Sequence, residues 1–227
     1  MFPARFSEAV LSHPLAADCL VPMGITSENV ASRYGISRQE QDAFGAESMQ
    51  KASKALKEGL FKDEILPIKT KWTDPKTKQE KEIVVDWDDG IREGVTAEVL
   101  GKLKPAFSAD GTTTAGTSSQ VSDGAAAVLL ARRSVAKKLN LPIIGKFVDA
   151  VAVGVPPDIM GVGPAFAIPK VLERTGLKIS DIDVFEINEA FASQAVYCVK
   201  VLKIDPKRVN PQGGAIGIGH PLGCSEC

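Results

Sequence analysis

The sequence predicts an α/β fold built around a buried mixed or parallel sheet. From residue 125 onward, short apolar runs alternate with segments of helical periodicity, which is typical of strands and helices that follow one another along a chain. With 44% apolar and 24% charged residues, the composition is that of an ordinary globular protein. The 227 residues suffice for one large domain or for two of about 100 residues each.

Two helices are predicted near the start of the chain. Thr26 or Ser27 can cap a first, short helix. Ser37 followed by Glu40 forms a capping box, which predicts a second helix that ends near Gly59. The second helix would bury an apolar face formed by Phe44, Ala52, Ala55 and Leu56.

A charged hairpin is predicted next. Segments 64–71 and 81–86 have the composition of strands, and they flank the turn-forming sequence Asp74-Pro75-Lys76-Thr77. Because both segments are rich in charged residues, we expect this hairpin to be exposed. The first 120 residues are therefore interpreted as an excursion from the main sheet.

The second half of the chain carries the alternating pattern on which the fold class depends. The predicted strands and helices are, in order, strand 125–131, helix 134–139, strand 143–153, helix 164–174, strand 184–187 and helix 189–202.

Charge and hydropathy exclude two classes of partner. Lys and Arg total 27 against 28 for Asp and Glu, so a net charge of -1 leaves no long-range field to attract a nucleic acid. No apolar run reaches the roughly 18 residues that span a membrane. The best candidate, 150–169, is interrupted by Asp158 and by several Gly and Pro. We therefore expect no nucleic-acid partner and no membrane partner.

The four cysteines and two histidines do not form a recognisable framework. Their spacing matches neither a disulfide scaffold nor a metal site, so we expect no bound metal and a reducing compartment. Residues 1–15 contain no continuous apolar core followed by a cleavage site, and so do not predict a secretory signal.

The segment Asn188-Glu189-Ala190-Phe191-Ala192 lies where a predicted strand meets a predicted helix. Ligands of α/β proteins usually bind at the carboxyl ends of strands, and a helix N-terminus presents free N–H groups to an anion or oxyanion. The alternative is that Asn188 caps the helix and does nothing more. Position alone leaves both interpretations open.

A second candidate site is the glycine-rich segment 213–223, which contains His220-Pro221. Five glycines in this segment would let the backbone approach a ligand closely. Pro221 restricts His220 to extended conformations and so orients its imidazole, which can donate a hydrogen bond or move a proton near neutral pH. The alternative is a structural histidine beside a glycine turn, but the glycines favour function.

Two weaker signals accompany these motifs. Segment 110–124 is dense in Ser, Thr and Gly and could bind an extended polar ligand, although such segments are usually only loops. The Gly161-Val162-Gly163 turn is an incomplete dinucleotide fingerprint.

Together these motifs show a resemblance to the thiolase family, of the 3-ketoacyl-CoA thiolase (acetyl-CoA C-acyltransferase) type, over residues 17–225. The resemblance is greatest to the branch of peroxisomal fatty acid β-oxidation. It is carried by segments 22–31, 111–127, 156–164, 188–192 and 210–223.

The resemblance implies a thiolase-like fold, with two similar α/β domains and an inserted lobe, that is incomplete at both ends. It divides the chain into an atypical N-terminal segment, 1–16, the second half of an N-terminal domain with its inserted CoA-binding lobe, 17–133, and the first half of a C-terminal domain, 134–227.

The resemblance also implies catalytic roles for Asn188 and His220. Asn188 would hold a water, and this water would form the oxyanion hole of the thioester carbonyl together with the His220 imidazole. His220 would also activate a nucleophilic cysteine. Preorganised donors of this kind are often the largest catalytic contribution, with one donor worth about 3 to 4 kcal/mol.

Five further residues match substrate-binding positions of the family. Ala190 and Phe191 would line the acyl pocket, and Met23 would close over the substrate. Ser119 would bond the pantetheine arm of CoA, and Arg92 would pack beside its adenine. Coenzyme A is then a co-substrate, and no cofactor is permanently bound.

Thiolases use two catalytic cysteines, and we expect this chain to begin after the first and to stop before the second. The chain's own cysteines are not expected to replace them. Cys19 lies in no family motif, Cys198 lies within a predicted helix, Cys224 occupies a packing position and Cys227 is terminal.

Two hypotheses about function follow. In the first, the chain is a thiolase-type acyltransferase that converts 3-ketoacyl-CoA and CoA into acetyl-CoA and a shortened acyl-CoA, with doubtful activity as it stands. In the second, it is a non-catalytic CoA-binding or interaction fragment. The partners expected from the family are acyl-CoA, CoA and a second copy of the chain in a homodimer.

The resemblance implies a peroxisomal location. Peroxisomal thiolases carry an N-terminal Arg-Leu-x5-His-Leu signal, but here Arg5 and His13 are one residue too far apart and Pro14 follows. The cytoplasm is therefore the alternative.

Overall fold

Helices form most of the regular structure in the computed structural model, which describes residues 6–225. Arg5 and Cys227, which entered the predictions above, lie outside this range. The helices are α1 (Glu8–Ser12), α2 (Pro14–Ala17), α3 (Met23–Tyr34), α4 (Arg38–Glu58), α5 (Ala97–Leu100), α6 (Arg133–Lys138), α7 (Gly163–Thr175), α8 (Ala192–Leu202) and α9 (Ala215–Ile218). The strands are β1 (Ile68–Thr73) and β2 (Glu80–Val85), and short 3₁₀ turns cover Asp18–Leu20, Pro157–Val162, Ile179–Asp181 and Pro206–Arg208.

Helix α4 begins and ends where the sequence predicts. The Ser37 hydroxyl accepts the N–H of Glu40 at 3.3 Å, and the Glu40 carboxylate accepts the N–H of Ser37 at 2.9 Å, so the capping box is confirmed. Gly59 ends the helix in the left-handed conformation. The predicted apolar face is also confirmed, because its members are buried or half-buried: Phe44, Ala52, Ala55 and Leu56.

Helix α3 is longer than predicted and begins at Met23. The prediction that Thr26 or Ser27 caps it is wrong, because both residues are buried inside the helix. The Thr26 hydroxyl donates to the Met23 carbonyl at 2.7 Å. The Ser27 hydroxyl lies 2.7 Å from those of Thr113 and Ser193, so it joins α3 to two distant segments. The Thr26 hydroxyl is therefore bonded within the helix and the Ser27 hydroxyl in tertiary contacts, and neither caps the helix.

The predicted hairpin is present, with its strands displaced by a few residues. Strands β1 and β2 are antiparallel, with Ile68 paired to Val85. The Asp74 carboxylate accepts the N–H groups of Lys76 at 2.7 Å and Thr77 at 2.9 Å, which closes the turn. Every residue of β1 is exposed, as expected for a charged hairpin.

Three predicted strands, 125–131, 143–153 and 184–187, are not formed in the part of the chain that the structure describes. Phe185 makes one isolated parallel bridge to Val209, and no ladder is assigned in the other two segments. A strand requires a neighbour to complete its hydrogen bonds. Within residues 6–225, the described sheet contains only β1 and β2. Among the described residues, the apolar pattern of these segments is therefore not accompanied by a ladder.

Helix α8 occupies the centre of the described core. The helices predicted at 134–139, 164–174 and 189–202 correspond to α6, α7 and α8. On one side of α8 lies a buried cluster of Phe185, Ile187, Val199, Ile204 and Val209. On the other side it packs against α3, where the rings of Tyr34 and Tyr197 stack with centroids 4.0 Å apart. No helix among residues 6–225 has both the length and the apolar character needed to cross a membrane.

We expect the chain to self-associate through the exposed segments 128–130 and 143–148. Leu129 is 81% exposed and Ile144 is 101% exposed, and uncovered apolar segments of this kind favour association. The changes Leu129→Lys and Ile144→Lys should reduce association without lowering the melting temperature, because neither side chain contributes packing. Sedimentation and light scattering over a range of concentrations would measure this.

The control is Leu66→Lys, which alters a residue that is also 81% exposed but lies outside both segments. This variant should associate like the wild type. A wild-type chain that stays a monodisperse monomer and unfolds cooperatively would contradict the prediction.

Candidate functional site

The side chains of Asn188 and His220 are in contact although 32 residues separate them in the chain. Asn188 Nδ2 lies 3.2 Å from His220 Nε2. On the other side of the ring, Nδ1 lies 2.9 Å from Ser225 Oγ, and the Ser225 hydroxyl donates its only proton to the Pro221 carbonyl at 3.1 Å. The imidazole must then donate from Nδ1, so Nε2 carries the lone pair that accepts an N–H of Asn188.

This contact overturns the interpretation of Asn188 as a helix cap. Helix α8 begins at Ala192, with Phe191 at the N-cap position. Asn188 lies before the helix, and its carbonyl accepts a hydrogen bond from Gln194 Nε2 at 2.7 Å. Its side chain is exposed and faces His220, which is half-buried. Such a pair can polarise a carbonyl oxygen with the amide or take up a proton at the imidazole.

Segment 117–120 runs beside the start of α8 and brings Ser119 to the site. The Ser119 N–H donates to the Ala190 carbonyl at 2.9 Å, and the Ala192 N–H donates to the Thr117 carbonyl at 2.8 Å. Ser119 and Ala190 are both half-buried. The structure therefore places two residues predicted to bind substrate directly beside each other.

Gln120 joins this segment to the glycine-rich loop. Its carbonyl accepts the N–H of His220 at 3.1 Å. Its side-chain amide donates to the carbonyls of Gly90 at 3.1 Å, Gly217 at 3.3 Å and Ile216 at 3.4 Å. Ser119, which precedes Gln120, is thereby held close to the backbone of His220.

Arg92 lies two residues beyond Gly90, which Gln120 contacts. The Arg92 N–H lies 3.2 Å from Met49 Sδ on α4, so its backbone is held against that helix. Its side chain is exposed and forms no ion pair within residues 6–225. The guanidinium is therefore available to a ligand.

Met23 and Phe191 are connected through an aromatic contact. The rings of Phe191 and Phe107 meet edge to face, with centroids 5.8 Å apart. The Phe107 ring also lies so close to Gly24 of α3 that a Cβ there would collide with it. Met23 is the neighbouring residue and is 47% exposed. All seven residues predicted for the site thus belong to one connected region.

The glycines of the 213–223 loop pack mainly against the protein itself, which corrects the prediction that they admit a ligand. A Cβ at Gly213 would lie 2.6 Å from the Ser48 carbonyl, and one at Gly217 would lie 2.8 Å from Ala52 Cβ, both on α4. A Cβ at Gly214 would collide with the Glu189 carboxylate. These glycines are needed because the loop lies directly on α4.

Glu189 is the residue of the site that sequence reasoning missed. Its side chain is 1% exposed, and its carboxylate accepts hydrogen bonds from Ser48 Oγ at 2.5 Å, Asn210 Nδ2 at 2.6 Å and the Ile216 N–H at 3.2 Å. Burial raises the pKa of Glu189, while these hydrogen bonds and the charge of Lys51 act in the opposite direction. The sequence signal was available, because Glu189 follows Asn188 in the motif, but its burial was not visible.

One cavity of the described chain does not coincide with this site. It has a volume of about 350 Å³, lies between α4 and α8, and is lined in equal parts by apolar residues, among them Phe44, Val196 and Val199, and by polar or charged residues. Ser48 and Glu189 border it, but Asn188 and His220 do not. The polar pair is therefore separate from this cavity, with Asn188 exposed and His220 half-buried.

Comparison with known proteins assigns the family. The family model described as thiolase, N-terminal domain, matches residues 7–134, and the model described as thiolase, C-terminal domain, matches residues 141–227. The chain belongs to the thiolase family. The resemblance stated from the sequence is thus confirmed.

Curated relatives of this thiolase chain include the peroxisomal 3-ketoacyl-CoA thiolases of Yarrowia lipolytica and Homo sapiens. The first is 61% identical over 220 residues, which are 97% of this chain and 53% of the relative. The second is 57% identical over 223 residues, which are 98% of this chain and 52% of the relative. The chain therefore spans about half the length of the curated relatives it matches.

Solved structures confirm the thiolase-like α/β fold. The dimeric peroxisomal thiolase of Saccharomyces cerevisiae has a TM-score of 0.89 and 58% identity, and the match covers 98% of this chain and 54% of that one. The Bacillus anthracis acetyl-CoA acetyltransferase has a TM-score of 0.83 and 42% identity, with 89% and 50% covered.

The described cysteines of this thiolase chain differ sharply in exposure. Cys198 lies in α8 with 0% exposure, and burial raises the pKa of its thiol to about 12. A thiol with such a pKa is not a nucleophile near neutral pH. Cys224 is partly buried, beside Gly124, and Cys19 is exposed. Among residues 6–225, no group of three His, Cys, Asp or Glu side chains could hold a metal ion.

We expect Cys198 to resist alkylation in the folded chain. Since the thiolate is the reactive form and the pKa of Cys198 is about 12, its reaction with iodoacetamide should stay negligible up to about pH 9. Cys19, which is exposed, should react at least tenfold faster at pH 8, as a rough expectation from its accessibility. Peptide mass mapping after timed quenching would measure both rates.

Guanidinium chloride provides the control, because unfolding should bring the rate of Cys198 to that of Cys19. Equal rates in the native chain would show that Cys198 is not buried as described.

Proposed function

We propose that this chain acts in thiolase-type acyl transfer and contributes its oxyanion-binding half. In the reaction, the C2–C3 bond of a 3-ketoacyl-CoA breaks, the acyl group is transferred to the sulfur of CoA, and the remaining acetyl-CoA carbanion takes up a proton. The observation that carries the proposal is the contact between Asn188 and His220, an amide and an imidazole that meet at 3.2 Å on an accessible surface.

In this proposal, the thioester oxygen is polarised by the His220 imidazole, which donates from Nε2 after taking up a proton there, and by a water held on Asn188. The oxygen gains negative charge as the bond breaks, so donors placed in advance lower the barrier. His220 also acts as the base that activates a nucleophilic cysteine. Both roles require the His220 ring to be held in place, and its hydrogen bonds with Ser225 and Asn188 hold it.

The substrate-binding part of the proposal places acyl-CoA along the same surface. Ala190 and Phe191 line the acyl pocket, Met23 closes over it, Ser119 bonds the pantetheine arm and Arg92 packs beside the adenine. Two observations support this assignment: Ser119 contacts Ala190 through its backbone, and Arg92 has an exposed side chain outside any described ion pair. Coenzyme A is the co-substrate, and no metal takes part.

Location, assembly and domain division are proposed on the same basis. The relatives named above are peroxisomal, and the yeast structure is titled a dimeric thiolase. We place this chain in the peroxisome, with the cytoplasm as the alternative, and we propose that it pairs with a second copy. The domain boundary near residue 133 stays a prediction.

A second candidate function is a non-catalytic CoA-binding fragment. It is favoured by the state of Cys198, whose buried thiol cannot attack a thioester. Among residues 6–225, the His220 ring hydrogen-bonds to Asn188 and Ser225, and neither Cys19 nor Cys224 is hydrogen-bonded to it.

CoA affinity tests the substrate-binding part of the proposal. Isothermal titration of the full chain with CoA should give saturable binding, and Arg92→Ala should weaken it about fivefold, as expected for the loss of one guanidinium stacked on a base. Ser119→Ala should weaken it by a similar factor. The matched control is Arg132→Ala, which removes an exposed arginine at the N-cap of α6, where its carbonyl accepts the N–H groups of Val135 and Ala136 and no described hydrogen bond or ion pair joins it to a residue of the site. Equal affinity of wild type and Arg92→Ala would remove Arg92 from the site.

Turnover tests whether the chain supplies its own nucleophile. We expect the purified chain, incubated with acetoacetyl-CoA and CoA, to consume the substrate no faster than buffer, because no described cysteine is set to attack the carbonyl. The reaction is monitored by the decrease in the absorbance of the acetoacetyl-CoA enolate. Turnover above buffer that disappears in Cys224→Ala or Cys227→Ala would show that the chain supplies its own nucleophile, and it would contradict the fragment hypothesis.

A further inference from the structure

Glu189 is attached to both halves of the polar pair. Its backbone follows Asn188 directly, and its carboxylate contacts the loop that carries His220. The two functional side chains are otherwise 32 residues apart. A residue that bonds to the segments of both Asn188 and His220 can therefore fix the distance between these two side chains.

On the Asn188 side, the link runs through Asn210. The Asn210 side chain accepts the N–H of Ile187 at 2.7 Å and donates to the Ile187 carbonyl at 2.8 Å and to Glu189 Oε1 at 2.6 Å. Asn210 is itself 2% exposed and adopts a left-handed backbone with φ +44°. The residues on either side of Asn188 are therefore held by one buried amide.

On the His220 side, the link runs through the start of α9. Glu189 Oε2 accepts the N–H of Ile216 at 3.2 Å and the hydroxyl of Ser48 at 2.5 Å. The same hydroxyl oxygen accepts the N–H of Gly214 at 3.1 Å. Helix α9 spans a single turn and ends two residues before His220, so an anchored start fixes where the imidazole lies.

The chemistry of these contacts requires a carboxylate. All three partners of Glu189 are donors, an O–H and two N–H groups, and only an acceptor with two oxygens can receive them all. A glutamine would turn its own NH₂ group toward one of these donors. Since Glu189 is 1% exposed, bulk solvent cannot replace a lost bond.

We infer that Glu189 is the positioning residue that holds Asn188 and His220 in contact. That this contact serves catalysis rests on the proposed function, whereas the positioning itself is a property of the described chain. Glu189 touches neither ring nor amide of the pair and acts only through the segments that carry them.

The His220 ring reports on this contact directly. With histidine labelled by ¹⁵N, the change His13→Gln leaves His220 as the only signal, because the chain has 2 histidines. The Nε2 resonance, read by magic-angle-spinning NMR at a pH well above imidazole protonation, depends on whether Asn188 donates to it. Asn188→Ala gives the reference value for a broken contact. Solid-state NMR can also be recorded if the chain self-associates.

In Glu189→Gln, the Nε2 resonance should move at least half of the way toward the Asn188→Ala value. The matched control is Glu28→Gln. Glu28 is a second carboxylate that joins distant segments, accepting the N–H groups of Thr112 and Thr113 at 2.9 Å, but its partners lie in segment 110–124 and do not carry the pair. Glu28→Gln should leave the resonance in place, even where it lowers the melting temperature.

A Glu189→Gln resonance at the wild-type position, or an equal displacement in Glu28→Gln, would overturn the inference. If Glu189→Gln does not fold, Ser48→Ala decides, because it removes one bond to the carboxylate and one to Gly214. Displacement in the same direction supports positioning, and an unchanged resonance refutes it. The NMR measurement does not involve CoA. A failure of CoA binding would therefore count against the proposed function without affecting the test of Glu189.

Discussion

A carboxylate buried to 1% exposure organises the described part of this thiolase chain. Burying a charge is costly unless donors surround it, and Glu189 finds its donors in three separate segments: Ser48 on α4, Asn210, and Ile216 on α9. The cost is offset only when all three are in place. The loop with Asn188 and the loop with His220 therefore assemble together on α4.

Small residues make this arrangement possible. The glycine-rich loop can lie on α4 because Gly213 and Gly217 carry no side chain and meet Ser48 and Ala52, which are small. Three threonines of segment 110–124, Thr113, Thr114 and Thr117, are likewise fully buried, and the Thr113 hydroxyl lies in hydrogen-bonding contact with that of Ser27. Residue types that resemble a ligand-binding surface in the sequence are thus used largely for internal packing, which leaves the Asn188–His220 pair as the accessible chemistry.

Membership in the thiolase family is one basis of our proposal that this pair forms part of an oxyanion hole. The described cysteines do not indicate a nucleophile beside this pair. Cys198 is a packing residue, and burial raises the pKa of its thiol to about 12. Carbonyl polarisation and nucleophilic attack are therefore separable properties here. In the proposed function, the first depends on the contact between Asn188 and His220, and the second on a thiolate beside His220.

Short-range chemistry is readable from the amino-acid sequence: the capping box of Ser37 and Glu40, the Asp74 turn, and the motifs that identify the family. Long-range packing sets whether Asn188 caps a helix or contacts His220, and whether the apolar segments after residue 125 form strands. The burial of Glu189 likewise depends on the tertiary structure. A cap or a turn is closed by residues a few positions apart, whereas a ladder, a buried carboxylate and a contact across 32 residues depend on groups brought together by the rest of the fold.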